Sequence, residues 1–191
     1  MAKGFKNRFE TTKGQPRPNK IPEKARFMAF TSKHEGLINK IITPLGLTLP
    51  FTPNDYPKGK MPYNPISKFA LWDTGATGSF LTAATVRELN LVPTGTTTIN
   101  HAAKTGETNN YESNTYLVNF FLPNHVLIYG VTVSECEDIV GNVGAIIGMD
   151  IITRGDFSMT NVNQKTWVSF RVPSMQSIDY VEQHNRLTKR R

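Results

Sequence analysis

The chain holds 191 residues, 38% of them apolar and 19% charged, which is room for one domain with tails. No apolar run is long enough to cross a membrane, Met1 to Lys6 lack the apolar stretch of a secretory leader, and one cysteine, Cys136, rules out an intrachain disulfide and a cysteine-based zinc cluster. The net charge of +7 sits in the tails: residues 1–26 carry eight basic and two acidic side chains, residues 186–191 carry four basic ones, and residues 27–185 hold ten basic against thirteen acidic, a net −3. A reducing, cytoplasmic setting is expected, with no membrane partner. The basic tails are charged enough to touch nucleic acid, although no zinc finger, basic-leucine pattern or RNA-binding aromatic motif accompanies them.

In chain order, Gly14-Gln15-Pro16-Arg17-Pro18 and the scarcity of aliphatic residues mark the start as an arm. The expected organisation is a basic arm over 1–38, a domain over 39–173 and a C-terminal extension over 174–191. Ile41 to Leu49 predicts a strand pair or one bent strand, and Pro50, Pro53, Pro57, Pro62 and Pro65 then mark an irregular connection. Lys68 to Trp72 reads as a buried strand, stopped by Asp73-Thr74-Gly75-Ala76-Thr77-Gly78, whose two glycines make a turn. A helix is expected over 82–90, with Val86 and Leu89 on its inner face. Residues 94–134 are β-rich, with a polar stretch at 104–110 and a turn at Pro123-Asn124-His125. Ala145-Ile146-Ile147-Gly148 is another apolar run, followed by a short helix 149–154 with Gly155 as its stop. Phe157 to Thr160 and Trp167 to Val172 read as a closing hairpin. With about eight short strands, two short helices and no solenoid repeat, the body is all-β.

The acid at the end of the buried strand is the most informative feature. The strand fixes the side chain in a region of low dielectric, and Gly75 lets the backbone turn its N–H toward the carboxylate. Asp73 could simply cap its own turn as an Asx residue. Gly75 to Ser79 also resembles the phosphate loop of the actin and sugar-kinase ATPases, but that fold needs two lobes that the β-rich remainder does not supply, and no Walker lysine follows. The third reading is an aspartic peptidase. Phe69-Ala70-Leu71-Trp72-Asp73-Thr74-Gly75-Ala76 resembles the catalytic strand and turn of the retropepsin family, and Ala145-Ile146-Ile147-Gly148 with its short helix resembles the second family segment, which packs against that turn. The resemblance covers roughly residues 40–172 and is nearest to the bacterial retropepsin-like proteins.

The resemblance implies a single-lobe closed β-barrel or sandwich with one or two short helices, forming a symmetric homodimer that works as an aspartic endopeptidase on peptides or proteins, without metal or cofactor. Such chemistry needs two carboxylates sharing one proton. The chain has one Asp-Thr-Gly, and the nearest rivals, Asp150 and Asp156, precede neither Thr-Gly nor Ser-Gly. The second carboxylate is therefore expected from Asp73 of another copy, with the site on a twofold axis. Thr74 is expected to hydrogen-bond across that axis and Gly75 to supply an N–H. A flap is expected over Ile99 to Tyr111, its tip at Ala103, Lys104, Thr105 and Gly106 bordering substrate together with Ala76. Trp72 is expected to pack beneath the turn. The competing expectation is a catalytically silent dimerisation or adaptor module whose basic tails bind nucleic acid.

Overall fold

Tyr116, Val118, Phe120 and Leu122 are buried at every second position of one long strand, so a pleated backbone sends them to a common core. The computed structural model describes residues 27–52, 62–102, 108–137, 139 and 142–189. Within them the strands are β1 (Met28–His34), β2 (Ile41–Thr48), β3 (Ile66–Trp72), β4 (Ser79–Thr82), β5 (Gly95–Ala102), β6 (Thr108–Leu122), β7 (Val126–Cys136), β8 (Ala145–Ile147), β9 (Asp156–Thr160) and β10 (Thr166–Val172). Three α-helices are interspersed: α1 (Ala83–Glu88), α2 (Met149–Ile152) and α3 (Tyr180–Thr188).

Seven strands form one sheet in the order β2-β3-β8-β4-β7-β6-β5, and β2 also pairs with β6. That extra pairing closes six strands into a barrel and leaves β5 hanging outside on β6. Most neighbours run antiparallel, but β3 pairs with β8 and β4 with β7 in parallel. β2 is one continuous strand. It carries Pro44 opposite Phe69, at a height where β6, which pairs only with Gly46 to Thr48, does not reach, so the missing proline N–H costs no ladder bond on that side. Register along β6 and β7 shifts between Val118 and Phe120, where fully buried Asn119 accepts the Gly130 N–H (2.9 Å) and donates to the Phe51 carbonyl (2.9 Å). Gly130 has φ +59, a left-handed conformation that glycine adopts without strain.

A second sheet, β1-β10-β9, packs on the barrel through aromatic side chains. Phe30 and Phe170 from this sheet lie 5.8 and 5.3 Å from Trp72 of β3, and Phe157 stacks on it at 5.4 Å. Trp72 is thus buried directly behind the Asp73 turn, as the sequence suggests.

α1 has the expected position, with the Thr82 hydroxyl accepting the Thr85 N–H (3.2 Å) and Val86 buried. α2 ends at Ile152. Gly155 is required mainly by packing, because a Cβ there would fall 1.9 Å from the Arg171 carbonyl oxygen. Within the stretch expected as an arm over 1–38, β1 pairs with β10 along its whole length and buries Phe30. Residues 1–26 lie outside the described residues. In the C-terminal extension α3, capped by Asp179, buries none of its side chains. Among the described residues no helix is long and apolar enough to cross a membrane.

Candidate active site

β3 delivers Asp73 to the barrel rim. Ala70 and Trp72 are buried, and parallel pairing with β8 continues one step past the strand, where the Asp73 N–H donates to the Ile147 carbonyl (3.0 Å). The chain then reverses: the Ala76 N–H returns to the Asp73 carbonyl (3.3 Å), and the Gly75 N–H donates to Asp73 Oδ1 (2.8 Å). Asp73 is half-buried, with Thr74 and Gly75 exposed beside it and Ala76 half-buried. Among the described residues the Gly75 N–H is the hydrogen-bond partner of this carboxylate, and Oδ2 accepts none. One oxygen is oriented and the other is open. A depression of about 450 Å³ adjoins it, lined by Ile38, Lys40, Ile41, Leu71, Trp72 and Met159 among others.

The Gly148 segment grips the turn from the other side. The Met149 N–H donates to the Ala76 carbonyl (2.8 Å) and the Asp150 N–H to the Thr77 carbonyl (3.2 Å). These donors belong to the first turn of α2 and would otherwise lack partners, so the Asp73 turn caps the helix while the helix holds the turn. Gly148 is obligatory, since a Cβ there would lie 2.3 Å from the Gly78 carbonyl oxygen. Ser79, almost fully buried, accepts the Gly148 N–H (3.1 Å) and donates to Asp150 Oδ1 (2.7 Å).

Both rival carboxylates are engaged elsewhere. Asp150 takes the Ser79 hydroxyl. Asp156 is held by Arg171 Nε (2.6 Å), the Met175 N–H (2.8 Å) and the Ser174 hydroxyl. Burial alone would raise its pKa; Ser174, Met175 and Arg171 outweigh that and bring it down to about 2. Among the described residues no three His, Cys, Asp or Glu side chains are grouped to hold a metal ion.

β5 and β6 form a hairpin in register from Gly95–Thr115 to Ala102–Thr108. β7 begins to pair with β6 only at Thr115, so the part from Thr96 and Asn114 outward projects beyond the barrel. Its root is clamped to β7: Ser113 Oγ donates to the Glu135 carbonyl (2.8 Å), the Glu135 N–H donates back to Ser113 Oγ (3.1 Å), and the Tyr116 hydroxyl donates to Glu135 Oε2 (2.5 Å). Burial, and then Glu135, raise the Tyr116 phenol above its ordinary pKa. The paired stretch includes Ile99–Ala102 and Thr108–Tyr111, within the segment where a flap is expected. The expected tip residues Ala103, Lys104, Thr105 and Gly106 lie outside the described residues.

The arrangement thus joins Asp73, Thr74, Gly75 and Ala76 to the Gly148 segment. Sequence reading misses the Ser79 hydroxyl, because its two partners lie about seventy positions downstream. The available signal is a hydroxyl at the entrance of a buried strand combined with an acid two residues past an apolar-apolar-Gly run.

Among solved structures, a retropepsin-like aspartic protease from Rickettsia conorii is similar to this chain, with 10% identity and a TM-score of 0.44 over 78% of this chain and 98% of that one. No family model matches the chain, and no curated protein matches it.

Proposed function

We propose that this chain is a retropepsin-like aspartic endopeptidase, active as a homodimer in which Asp73 from each of two copies shares one proton. The observation that carries the reading is the Asp73 carboxylate itself: a half-buried acid with Oδ1 fixed by the Gly75 N–H at 2.8 Å and Oδ2 open, at the end of a strand whose sequence resembles the family's catalytic strand and turn.

Two carboxylates about 3 Å apart cannot both ionise. The ionised member takes a proton from a water held between them, and the protonated member donates to the scissile carbonyl oxygen. The water oxygen thereby bonds to the scissile carbon. The tetrahedral species collapses as the proton taken from water passes to the amine nitrogen, a hydroxyl proton returns to the other carboxylate, and the C–N bond breaks to free the amine and the new carboxyl product. The pair titrates as one unit. Thr74 secures the pair across the twofold axis. An extended peptide adds as a strand beneath the β5–β6 hairpin, with Ala76 and the tip residues Ala103 to Gly106 bordering it.

The test is cleavage of a peptide library by the full chain over a range of protein concentrations. Specific activity should fall on dilution as dimers dissociate, and Asp73→Asn should abolish cleavage while leaving the circular-dichroism spectrum and melting curve in place. Full specific activity in a dilute monomer, or undiminished cleavage by Asp73→Asn, would overturn the proposal.

A further inference from the structure

We infer, on the peptidase reading above, that Ser79 and Asp150 are positioning residues for Asp73: together they brace the turn that presents its carboxylate. The direct hold on that carboxylate, from the Gly75 N–H, lies within the turn itself. It orients the side chain but does not fix the turn against the barrel. At the near end the Asp73 N–H is tied to Ile147, and at the far end the Ala76 and Thr77 carbonyls are tied to the first N–H groups of α2. The height of the far end therefore follows the position of α2.

Beyond the core packing of Ile151 and Ile152, one buried hydroxyl ties that position to the turn. Ser79 Oγ accepts from the Gly148 N–H at 3.1 Å and donates to Asp150 Oδ1 at 2.7 Å, so it holds both the approach to α2 and its first turn. Among the described residues no other side chain bonds to the Gly148 N–H or to the Asp150 carboxylate, while Arg154 Nε donates to the Asp150 backbone carbonyl (3.1 Å). The contact between the segments is also stiff, because Gly148 lies against the Gly78 carbonyl with no room for a Cβ. A shift of residues 148–150 is passed directly to residues 76–78. The role asked of Asp150 is that of an acceptor, which an asparagine carbonyl also fills.

The experiment compares the unchanged full chain with Ser79→Ala, Asp150→Ala, Asp150→Asn and the double alanine variant. Each is assayed at saturating peptide and at protein concentrations that keep the dimer intact, and backbone amide exchange is followed over residues 74–78 in the same samples. Each single alanine variant should lower kcat about 10- to 100-fold with KM near that of the unchanged chain, as expected for a misplaced reacting group. The double variant should be no worse than Ser79→Ala alone, since the Asp150 carboxylate acts through the Ser79 hydroxyl. Asp150→Asn should recover most of kcat, and turn amides should exchange faster in the alanine variants but not in Asp150→Asn. If Ser79→Ala does not fold, Asp150→Ala, at a half-buried site, carries the comparison. Turn exchange unchanged in the alanine variants, or a lower melting temperature with kcat per folded chain intact, would overturn the brace. Absence of Asp73-dependent cleavage in the unchanged chain, with the exchange response present, would instead contradict the peptidase reading and leave the brace standing.

Discussion

At Asp73 the backbone supplies what a side chain alone lacks: a donor at 2.8 Å from Gly75 and an anchor at Ile147 that together leave one carboxylate oxygen open. The Gly75 part of that geometry was legible in the sequence because its residues are contiguous, an apolar strand followed at once by Asp-Thr-Gly, whereas the Ile147 anchor comes from a strand far downstream. Ser79 and Asp150 were not legible as a pair, since only the fold brings them within 2.7 Å. The two glycines nearest this contact differ sharply. A methyl group at Gly148 would strike the Gly78 carbonyl at 2.3 Å, whereas one at Gly78 would meet nothing within 4 Å. Gly148→Ala should therefore destabilise the chain by about 1–3 kcal/mol in denaturant unfolding, with Gly78→Ala costing much less. Equal costs would show that the two segments are not in rigid contact.

Among the elements, β3 has two jobs, presenting Asp73 and burying Trp72 between the barrel and the β1-β10-β9 sheet. The indole N–H donates to Thr43 Oγ1 at 2.9 Å inside this cluster. Trp72→Ala should cost about 3–5 kcal/mol from lost burial and the cavity left behind, so any loss of activity must be judged per folded molecule. Thermal melting checks the first part and active-site titration the second. The second sheet is also where stability responds to acid. Asp156 of β9 has its pKa lowered to about 2 from 3.8, so its contribution is present above pH 4 and is lost as pH falls through about 2. The shift corresponds to about 2 kcal/mol, and Asp156→Asn should flatten the unfolding free energy between pH 4 and pH 2. An unchanged slope would mean that Arg171 and Ser174 do not hold the carboxylate in solution.

β1 lies within the expected arm and was not legible as a strand. Its sequence, Met-Ala-Phe-Thr-Ser-Lys-His, buries one large side chain and carries no strong alternation, and its partner β10 lies far downstream. Nothing local marks it as a strand. β2, β3, β7 and β10 were readable because their apolar residues are dense and bounded by turns. The β5–β6 hairpin was readable from its flanking strands, although its function depends on what it covers.

For the whole molecule, the decisive feature is a deficit. One chain supplies one Asp-Thr-Gly turn, and its other candidate acids are committed to Ser79 and Arg171. In the proposed function, this closed barrel with its projecting hairpin and open carboxylate oxygen contributes half of a proton-sharing site, which twofold symmetry would complete.

The most direct measurement of this claim mixes unchanged chain with Asp73→Asn chain under conditions where subunits exchange, and follows peptide cleavage against the mixing ratio. With a shared site, activity per total protein falls as the square of the unchanged fraction, so an equal mixture retains about one quarter of it. A linear fall, with about one half retained at equal mixing, would show that each chain cuts on its own and would contradict the shared dyad.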